Sequence, residues 1–433
     1  MSFMNDDDVV MDRQDWIREK VVKNILESYA PWKGAELIKS EVEFIEGKKD
    51  NFASTTYSVT LQLKIPEDGY VRTESHPLFL KLIVDNPILR EALQSEKQFF
   101  NEILWYSEVV PKFQYFIDGS KNRARPLNLF PKCYYSHYDD IDAVIALEDL
   151  RPRNFVLGDR VALGVKYVEK ALEAVARSHA LAYRWKETDE RKFLEVASSF
   201  KEASINRPIE PMLKLANERV YKALEKDPEY TERVQKFKEI TADPWNLMQA
   251  LVRPEGPLAT ICHGDFCRNN ILYSERVMNG ESIIESVLID FQTARYASPA
   301  IDLSFFIFMN TTPELRAAEF DRLFTFYYDT IIKELKDLTG LEEVDVISKR
   351  EKIFTLQAFK DDFASHAIYG YFITSFFLPV MMVDDKERDE CTRMWESQAP
   401  GYESFISNLG GELVTARLVA ILKEVLDRNY LPK

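Results

Sequence analysis

The run Ile261-Cys262-His263-Gly264-Asp265-Phe266-Cys267-Arg268-Asn269-Asn270 holds the residues best suited to chemistry. Asp265 and Asn270 stand five positions apart, the offset at which phosphoryl-transfer loops set a base and a metal-ligating amide. Twenty residues beyond Asn270, Val287-Leu288-Ile289-Asp290-Phe291-Gln292 supplies a second carboxylate at the end of an apolar run. A hydroxyl attacking phosphorus must be oriented and, late in the reaction, must lose its proton; a carboxylate at Asp265 can serve both needs. Mg²⁺ usually keeps waters and takes one or two protein oxygens beside a phosphate, which suits Asn270 and Asp290. A lone Asp-Asn pair is more often loop capping. With His263-Gly264-Asp265, the offset and Ile289-Asp290-Phe291 together, the expectation is a catalytic centre that moves a phosphoryl group.

For Asn270 and Asp290 to meet, the chain between them must double back. A short strand begins at Asn270, Ser282 to Ile289 reads as its return partner, and Asn279-Gly280 falls in the turn. An antiparallel hairpin brings its open ends, and so both ligands, side by side. Lys81 sits in an apolar strand, Leu78 to Val84, from which it can reach nucleotide phosphates; the plainer reading is an edge lysine snorkelling to water. Glu96 and Glu102 of the next helix compete as its partner. Ala146-Leu147-Glu148-Asp149-Leu150 closes a strand where β-rich sequence gives way to α-rich, so Glu148 and Leu150 are the expected hinge for an adenine, the alternative being an ordinary strand end. Gly47 to Ser54 lies where a loop would cover phosphates, with a single glycine. Asp302 follows Asp290 by twelve residues at a helix start, where its carboxylate is expected to brace the catalytic loop's backbone. Such a short gap leaves no room for an activation segment ending in Ala-Pro-Glu, so a small molecule is the expected acceptor and no protein substrate is expected.

The supporting elements read β-rich first and α-rich second. An amphipathic helix (Trp16, Val21, Ile25, Leu26) precedes strands at Glu41–Phe44, Tyr57–Ile65 and Leu78–Val84. Tyr57, Val59, Leu61, Leu63 and Ile65 alternate strictly with polar residues, the mark of a half-buried strand. Asn86-Pro87 opens a helix expected to run to Val110; strands follow at Lys132–Tyr138 and Ala143–Glu148, then a helix over Val161–Trp185. Thr311-Thr312-Pro313-Glu314 is a capping-box start, and Gly340 a stop. The expected fold is α+β: residues 1–35 a helical extension, 36–150 an antiparallel N-lobe, 151–433 a helical C-lobe.

Length supports two lobes, since a single core rarely grows past about 300 residues and this chain has 433. A net charge of −15 argues against nucleic acid and anionic membrane surfaces. The four cysteines form no Cys-x-x-Cys pair; reduced thiols are expected, and Cys262, His263 and Cys267 lack the second ligand pair of a zinc site. The absence of G-x-G-x-x-G and Walker A patterns disfavours a dinucleotide-binding enzyme. Met1 to Arg13 is acidic without an apolar core, and Tyr369 to Val383 is short for a membrane span and contains Pro379, so a buried helix and a soluble, cytoplasmic protein are expected.

These residues resemble the aminoglycoside phosphotransferase and choline kinase superfamily, with its protein-kinase-like, two-lobed fold. The chain is most similar to the ecdysteroid kinase-like (CHK kinase-like) family. Further matches are Glu102-Ile103-Leu104-Trp105-Tyr106 with Pro111, Pro131-Lys132-Cys133-Tyr134-Tyr135, Leu147-Glu148-Asp149-Leu150, Ala176-Arg177-Ser178-His179-Ala180, and Tyr369-Gly370-Tyr371-Phe372 with Leu378-Pro379. The resemblance implies a small-molecule O-kinase using ATP or GTP, with ecdysteroid hydroxyls as the named acceptors. It implies Asp265 as base, Asn270 and Asp290 as Mg²⁺ ligands, Lys81 on phosphates, and Glu102 rather than Glu96 as its partner. The family usually carries Trp two residues after the catalytic Asp, where this chain has Cys267, a difference that touches the acceptor more than the chemistry. The expected activity is Mg-ATP-dependent phosphorylation of a hydroxyl on a small molecule, an ecdysteroid or other bulky apolar alcohol; Phe305, Phe306, Phe372, Phe376 and Phe377 motivate the apolar acceptor, the alternative being that these rings are simply core. The alternative is a weakly active or inactive kinase-like protein that binds small molecules.

Overall fold

The strict alternation from Tyr57 to Ile65 has a direct structural outcome: in the computed structural model all five apolar side chains are buried. The structure describes residues 12–45, 54–67, 70–120, 127–139, 142–204, 210–341, 345, 353–397 and 399–431. The proposed phosphate-covering loop from Gly47 lies outside them up to residue 53, as do residues 1–11 of the N-terminal extension.

Two units divide the chain. The first holds residues to Ser107 and Pro131–Arg153; the second holds Glu108–Phe130 and everything from Asn154 onward. In the first, β1 (Glu36–Phe44), β2 (Ser54–Glu67), β3 (Tyr70–Ile83), β4 (Cys133–Tyr138) and β5 (Ala143–Glu148) form an antiparallel sheet in the order β1-β2-β3-β5-β4. One sheet face packs on the N-terminal helix, which runs as α1 (Arg13–Trp16), a π-turn and α2 (Val22–Ser28), through Ile17, Val21, Val22 and Ile25. Residues 12–35 therefore belong to this unit's core and are no separate extension. β3 starts well before Leu78 because its pairing with β2 continues to Glu67↔Tyr70. Charges such as Arg72 and Glu74, paired at 3.0 Å, hide that stretch from a hydrophobic pattern.

The helix expected over Asn86–Val110 is two: α3 (Pro87–Leu93) and α4 (Ser95–Leu104), separated at Gln94, whose φ of 53° is left-handed. Helix continues through a π-turn into α5 (Val110–Gly119), which packs with the second unit. There Phe113 meets Phe130 at 6.3 Å, and Leu288 N–H donates to Leu129 O at 2.8 Å. Apolar burial thus assigns 108–130 to the helical unit, although the sequence places it among the strands.

The second unit contains β6 (Val156–Leu157), α6 (Val165–Thr188), α7 (Glu190–Ala197), α8 (Glu210–Leu224), α9 (Thr231–Ile240) and α10 (Pro244–Leu251). After these come β7 (Thr260–Cys262), β8 (Ile271–Met278), β9 (Glu281–Leu288) and β10 (Arg295–Ala297). Helices α11 (Ala300–Asn310), α12 (Pro313–Thr339), α13 (Leu356–Met382), α14 (Asp385–Glu396), α15 (Tyr402–Asn408) and α16 (Gly411–Asp427) complete it. Thr312 caps α12 by accepting from Leu315 N–H at 3.2 Å, and Gly340 ends it with φ 67°, as the capping signals predict. α11 is buried along its whole length and packs on α13, where Gly370 lets the two backbones approach: a Cβ there would lie 2.3 Å from Ser304 C. By length and composition α13 is apolar enough to cross a membrane, yet 67% of its most apolar stretch is buried inside the protein. The packing against α11 accounts for that apolarity. The molecule is α+β, with the antiparallel sheet in the first unit and most helices in the second.

Candidate active site

β8 and β9 pair from Ile271↔Leu288 to Met278↔Glu281, and Asn279 and Gly280 turn the corner with φ of 53° and 83°. Two consecutive positive φ values fit the right-handed twist of a hairpin, which is why Asn-Gly is favoured there. The pairing extends one step past β8, Ile289 N–H donating to Asn270 O at 3.0 Å. Asn270 and Asp290 are thereby brought to the same end of the hairpin. Asp290 has φ 67°, an uncommon conformation outside glycine that Asp tolerates better than most residues.

A second pairing sets the rest of the loop. β7 runs antiparallel to β10, with Cys262 opposite Arg295, so His263-Gly264-Asp265 leaves β7 beside the segment that follows Asp290. Gly264 has φ 83°, and a Cβ there would fall 2.0 Å from Thr293 O. Both facts demand glycine in the middle of the motif.

Asp265 is half-buried, and Asn270 holds it in place: Asn270 Nδ2 donates to Asp265 Oδ2 and to Asp265 O, each at 2.8 Å. Burial raises the Asp265 carboxyl above the ordinary carboxylate range, and Asp290 adds to the rise; the His263 side chain and the Asn270 hydrogen bond oppose it. His263 Nε2 donates to Ile289 O at 2.9 Å, which leaves Nδ1 facing the Asp265 N–H at 3.4 Å. A carbonyl can only accept, so Nε2 carries the proton. His263 therefore ties the loop to the hairpin.

Asp302, in the first turn of α11, is 1% exposed and accepts from His263 N–H at 2.7 Å and Gly264 N–H at 2.9 Å. His179 of α6 supplies a further contact, Nε2 to Asp302 Oδ2 at 3.2 Å, and its Nδ1 meets the Tyr327 hydroxyl at 2.8 Å. Burial alone would raise the Asp302 carboxyl; the hydrogen bond and charge of His179, with His263 and the Gly264 N–H, hold it below the usual range instead. The carboxylate stays ionised and braces the backbone. His179 enters the sequence reading only within the family match Ala176–Ala180, with no role attached to it, and Tyr327 is one of several aromatics on α12.

Neither thiol pattern makes a metal site. His179, Cys262 and Asp302 lie close together. However, the Asp302 oxygens take N–H donors, and burial keeps Cys262 a thiol, with Sγ 3.3 Å from Ser298 O. Cys267 Sγ sits 3.9 Å from Asp265 Oδ1, and burial, then the Asp265 charge, push its thiol upward as well. The oxygen set of Asn270 and Asp290 is different. With Nδ2 of Asn270 committed to Asp265, the side chain's acceptor atom is its carbonyl oxygen, and a hard divalent cation takes such oxygens with a carboxylate. A cation there would also offset the repulsion between Asp265 and Asp290. These residues fit Mg²⁺.

In the first unit, Lys81 stands opposite Thr56 on β2 and Ile145 on β5, so it points away from the face that buries Leu80 and Leu82. Its ammonium pairs with Glu102 of α4, and both side chains are buried, whereas Glu96 is exposed. Glu148 is half-buried and pairs with Arg153 at 2.8 Å; Leu150 is buried. Of the five C-lobe aromatics expected to meet an acceptor, Phe305, Phe306 and Phe372 are core residues, Phe306 stacking on Phe266 at 4.5 Å. Only the neighbouring pair Phe376 and Phe377 reaches the surface, Phe377 being 37% exposed.

Among solved structures, the chain is similar to an ethanolamine kinase of Plasmodium vivax, with 14% identity over 84% of this chain and 83% of that one and a TM-score of 0.35. It is also similar to an aminoglycoside-3'-phosphotransferase of type VIII, with 17% identity over 75% and 93% of the two chains and a TM-score of 0.30. No curated protein matches it. The model of the ecdysteroid kinase-like family matches residues 48–340, a span that holds Lys81, the loop from His263 to Asn270, the hairpin and α11. With well over half of its length matched, the chain belongs to the ecdysteroid kinase-like family.

Proposed function

We propose that this chain is a Mg-ATP-dependent phosphotransferase that phosphorylates a hydroxyl group of a small molecule. The observation that carries the reading is the junction of Asp265, Asn270 and Asp290 in one braced loop: a carboxylate hydrogen-bonded to an amide, with a second carboxylate at the same hairpin end. In this reading Asp265 orients the acceptor hydroxyl and takes its proton, a role worth about 10²–10⁴-fold in rate. Its raised affinity for a proton suits that task better than an ordinary surface carboxylate. Asn270 and Asp290 hold Mg²⁺, which when bound supplies positive charge beside the transferring phosphoryl group. Lys81, fixed by Glu102, neutralises nucleotide phosphates, and the strand end at Glu148 and Leu150 receives the base.

For the acceptor we propose a bulky, largely apolar alcohol, an ecdysteroid being the type suggested by family membership. The aromatic support for it narrows to Phe376 and Phe377, since the other three rings are core. The test is transfer of labelled γ-phosphate from Mg-ATP to a panel of ecdysteroids, other sterols, choline and ethanolamine. Labelled ecdysteroid or sterol product is expected; labelling of the small polar alcohols alone would end the apolar-acceptor reading.

A further inference from the structure

We propose that Asn310, the last residue of α11, positions the turn that presents Asn270 and thereby sets the affinity of the site for its divalent metal. The inference rests on the phosphotransfer reading above and adds a residue to it. Arg268–Asn270 forms a single 3₁₀ turn that opens after Cys267, and no side chain at that N-cap accepts a hydrogen bond. The first N–H groups of such a turn have no partner inside it. Asn310 supplies one from 42 residues away: its Oδ1 accepts from Arg268 N–H at 3.0 Å. Asn310 is 2% exposed, and its Nδ2 donates to Phe306 O at 2.9 Å, so the amide is locked with its oxygen toward the loop.

The end of α11 is itself held. Arg417 Nη2 donates to Met309 O and Thr311 O, each at 3.1 Å, and Arg316 Nη1 donates to Thr311 O at 2.9 Å. Guanidinium groups at the carbonyl end satisfy orphan acceptors and match the helix dipole. Leu163 N–H donates to Asn310 O at 2.8 Å, and Arg268 Nη1 reaches Gly158 O at 2.9 Å. One buried helix thus grips the catalytic loop twice: Asp302 at its start holds His263 and Gly264, and Asn310 at its end holds Arg268. Asn270, two residues on, then meets Asp265 at 2.8 Å. Asn310 touches no reacting atom and is a positioning residue.

The test compares wild type with Asn310→Ala in the full chain, titrating Mn²⁺ in the presence of a non-hydrolysable ATP analogue and following free Mn²⁺ by electron paramagnetic resonance. Metal-free binding of the analogue and circular dichroism are measured alongside. The expected result is metal binding weakened several-fold, up to about the 10-fold at which loss of a ligand's direct outer-shell partner begins, with metal-free nucleotide binding unchanged. Hydrogen exchange of the 268–270 amides should rise in parallel. Should the alanine variant lose its fold, Asn310→Ser carries the same expectation with a smaller void. A folded variant with wild-type Mn²⁺ affinity overturns the inference, as does an equal fall in metal-free and metal-dependent binding. Wild type that binds no Mn²⁺ with the analogue overturns the phosphotransfer reading itself, a different outcome from either.

Discussion

At the scale of single residues, two carboxylates are handled in opposite ways, and each treatment is a testable statement. Burial, with the repulsion of Asp290 as a separate cause, raises the Asp265 carboxyl, so folding disfavours its ionised form relative to the unfolded chain. Stability from that shift is fully present below the unfolded pKa of about 3.9 and is lost as pH rises through the raised folded value. Asp265→Asn should therefore melt at or above the wild-type temperature at neutral pH, the difference closing at acid pH, while turnover falls about 10²–10⁴-fold and nucleotide still binds. Calorimetry over a pH series and a transfer assay would check both halves; a variant that melts well below wild type at pH 7 contradicts the first. Asp302 runs the other way: its folded carboxyl is lowered, so its stability is present above about pH 3.9 and is lost as pH falls through the folded value. Asp302→Ala would strand the His263 and Gly264 N–H groups, at a cost of about 2–5 kcal/mol in urea unfolding. Asp265, Asn270 and Asp290 were legible in the sequence because a fixed offset and a hairpin determine where they meet. His179, Tyr327 and Asn310 were not, because each acts on the loop from an element remote in the chain, and no local spacing records a tertiary hydrogen bond.

At the scale of elements, α11 and the β8–β9 hairpin are the parts that make the loop rigid. The hairpin was readable from Asn279-Gly280 and the flanking strand pattern, since turn chemistry is local. The strut role of α11 was only half readable: Asp302 announced its start, whereas an all-apolar helix gives no hint of what its far end touches. Its packing depends on Gly370, where a Cβ would meet the α11 backbone at 2.3 Å. Gly370→Ala should cost about 1–3 kcal/mol or more by overpacking and lower turnover through α11. Gly119→Ala, with nothing within 4 Å of the new atom, should cause no loss. Urea unfolding of the pair provides the check, and equal stabilities would contradict the strut. The helix after Pro87 departs from its sequence pattern: the left-handed Gln94 carries no local signal, and the burial of Phe113 and Phe116 accompanies the assignment of 108–130 to the helical unit.

At the scale of the whole molecule, the order of β-rich then α-rich sequence was enough to expect an α+β chain with an antiparallel sheet, and the two units follow that order except at residues 12–35 and 108–130. With a net charge of −15, the proposed binding of nucleotide phosphates rests on a few placed groups such as Lys81 and not on a general basic surface. Mg-ATP that binds only the folded protein should raise its melting temperature in proportion to the logarithm of concentration, and Asn270→Ala with Asp290→Asn should abolish the Mg²⁺-dependent part of that rise. The central claim is transfer of a phosphoryl group to a small-molecule hydroxyl by the loop that Asp265, Asn270 and Asp290 build. It is tested most directly by mass spectrometry of a metabolite extract incubated with Mg-ATP and either wild type or Asp265→Asn. At least one alcohol is expected to gain a single phosphoryl group with wild type and little with the variant. No phosphorylated product with wild type, or equal amounts with both proteins, would contradict it.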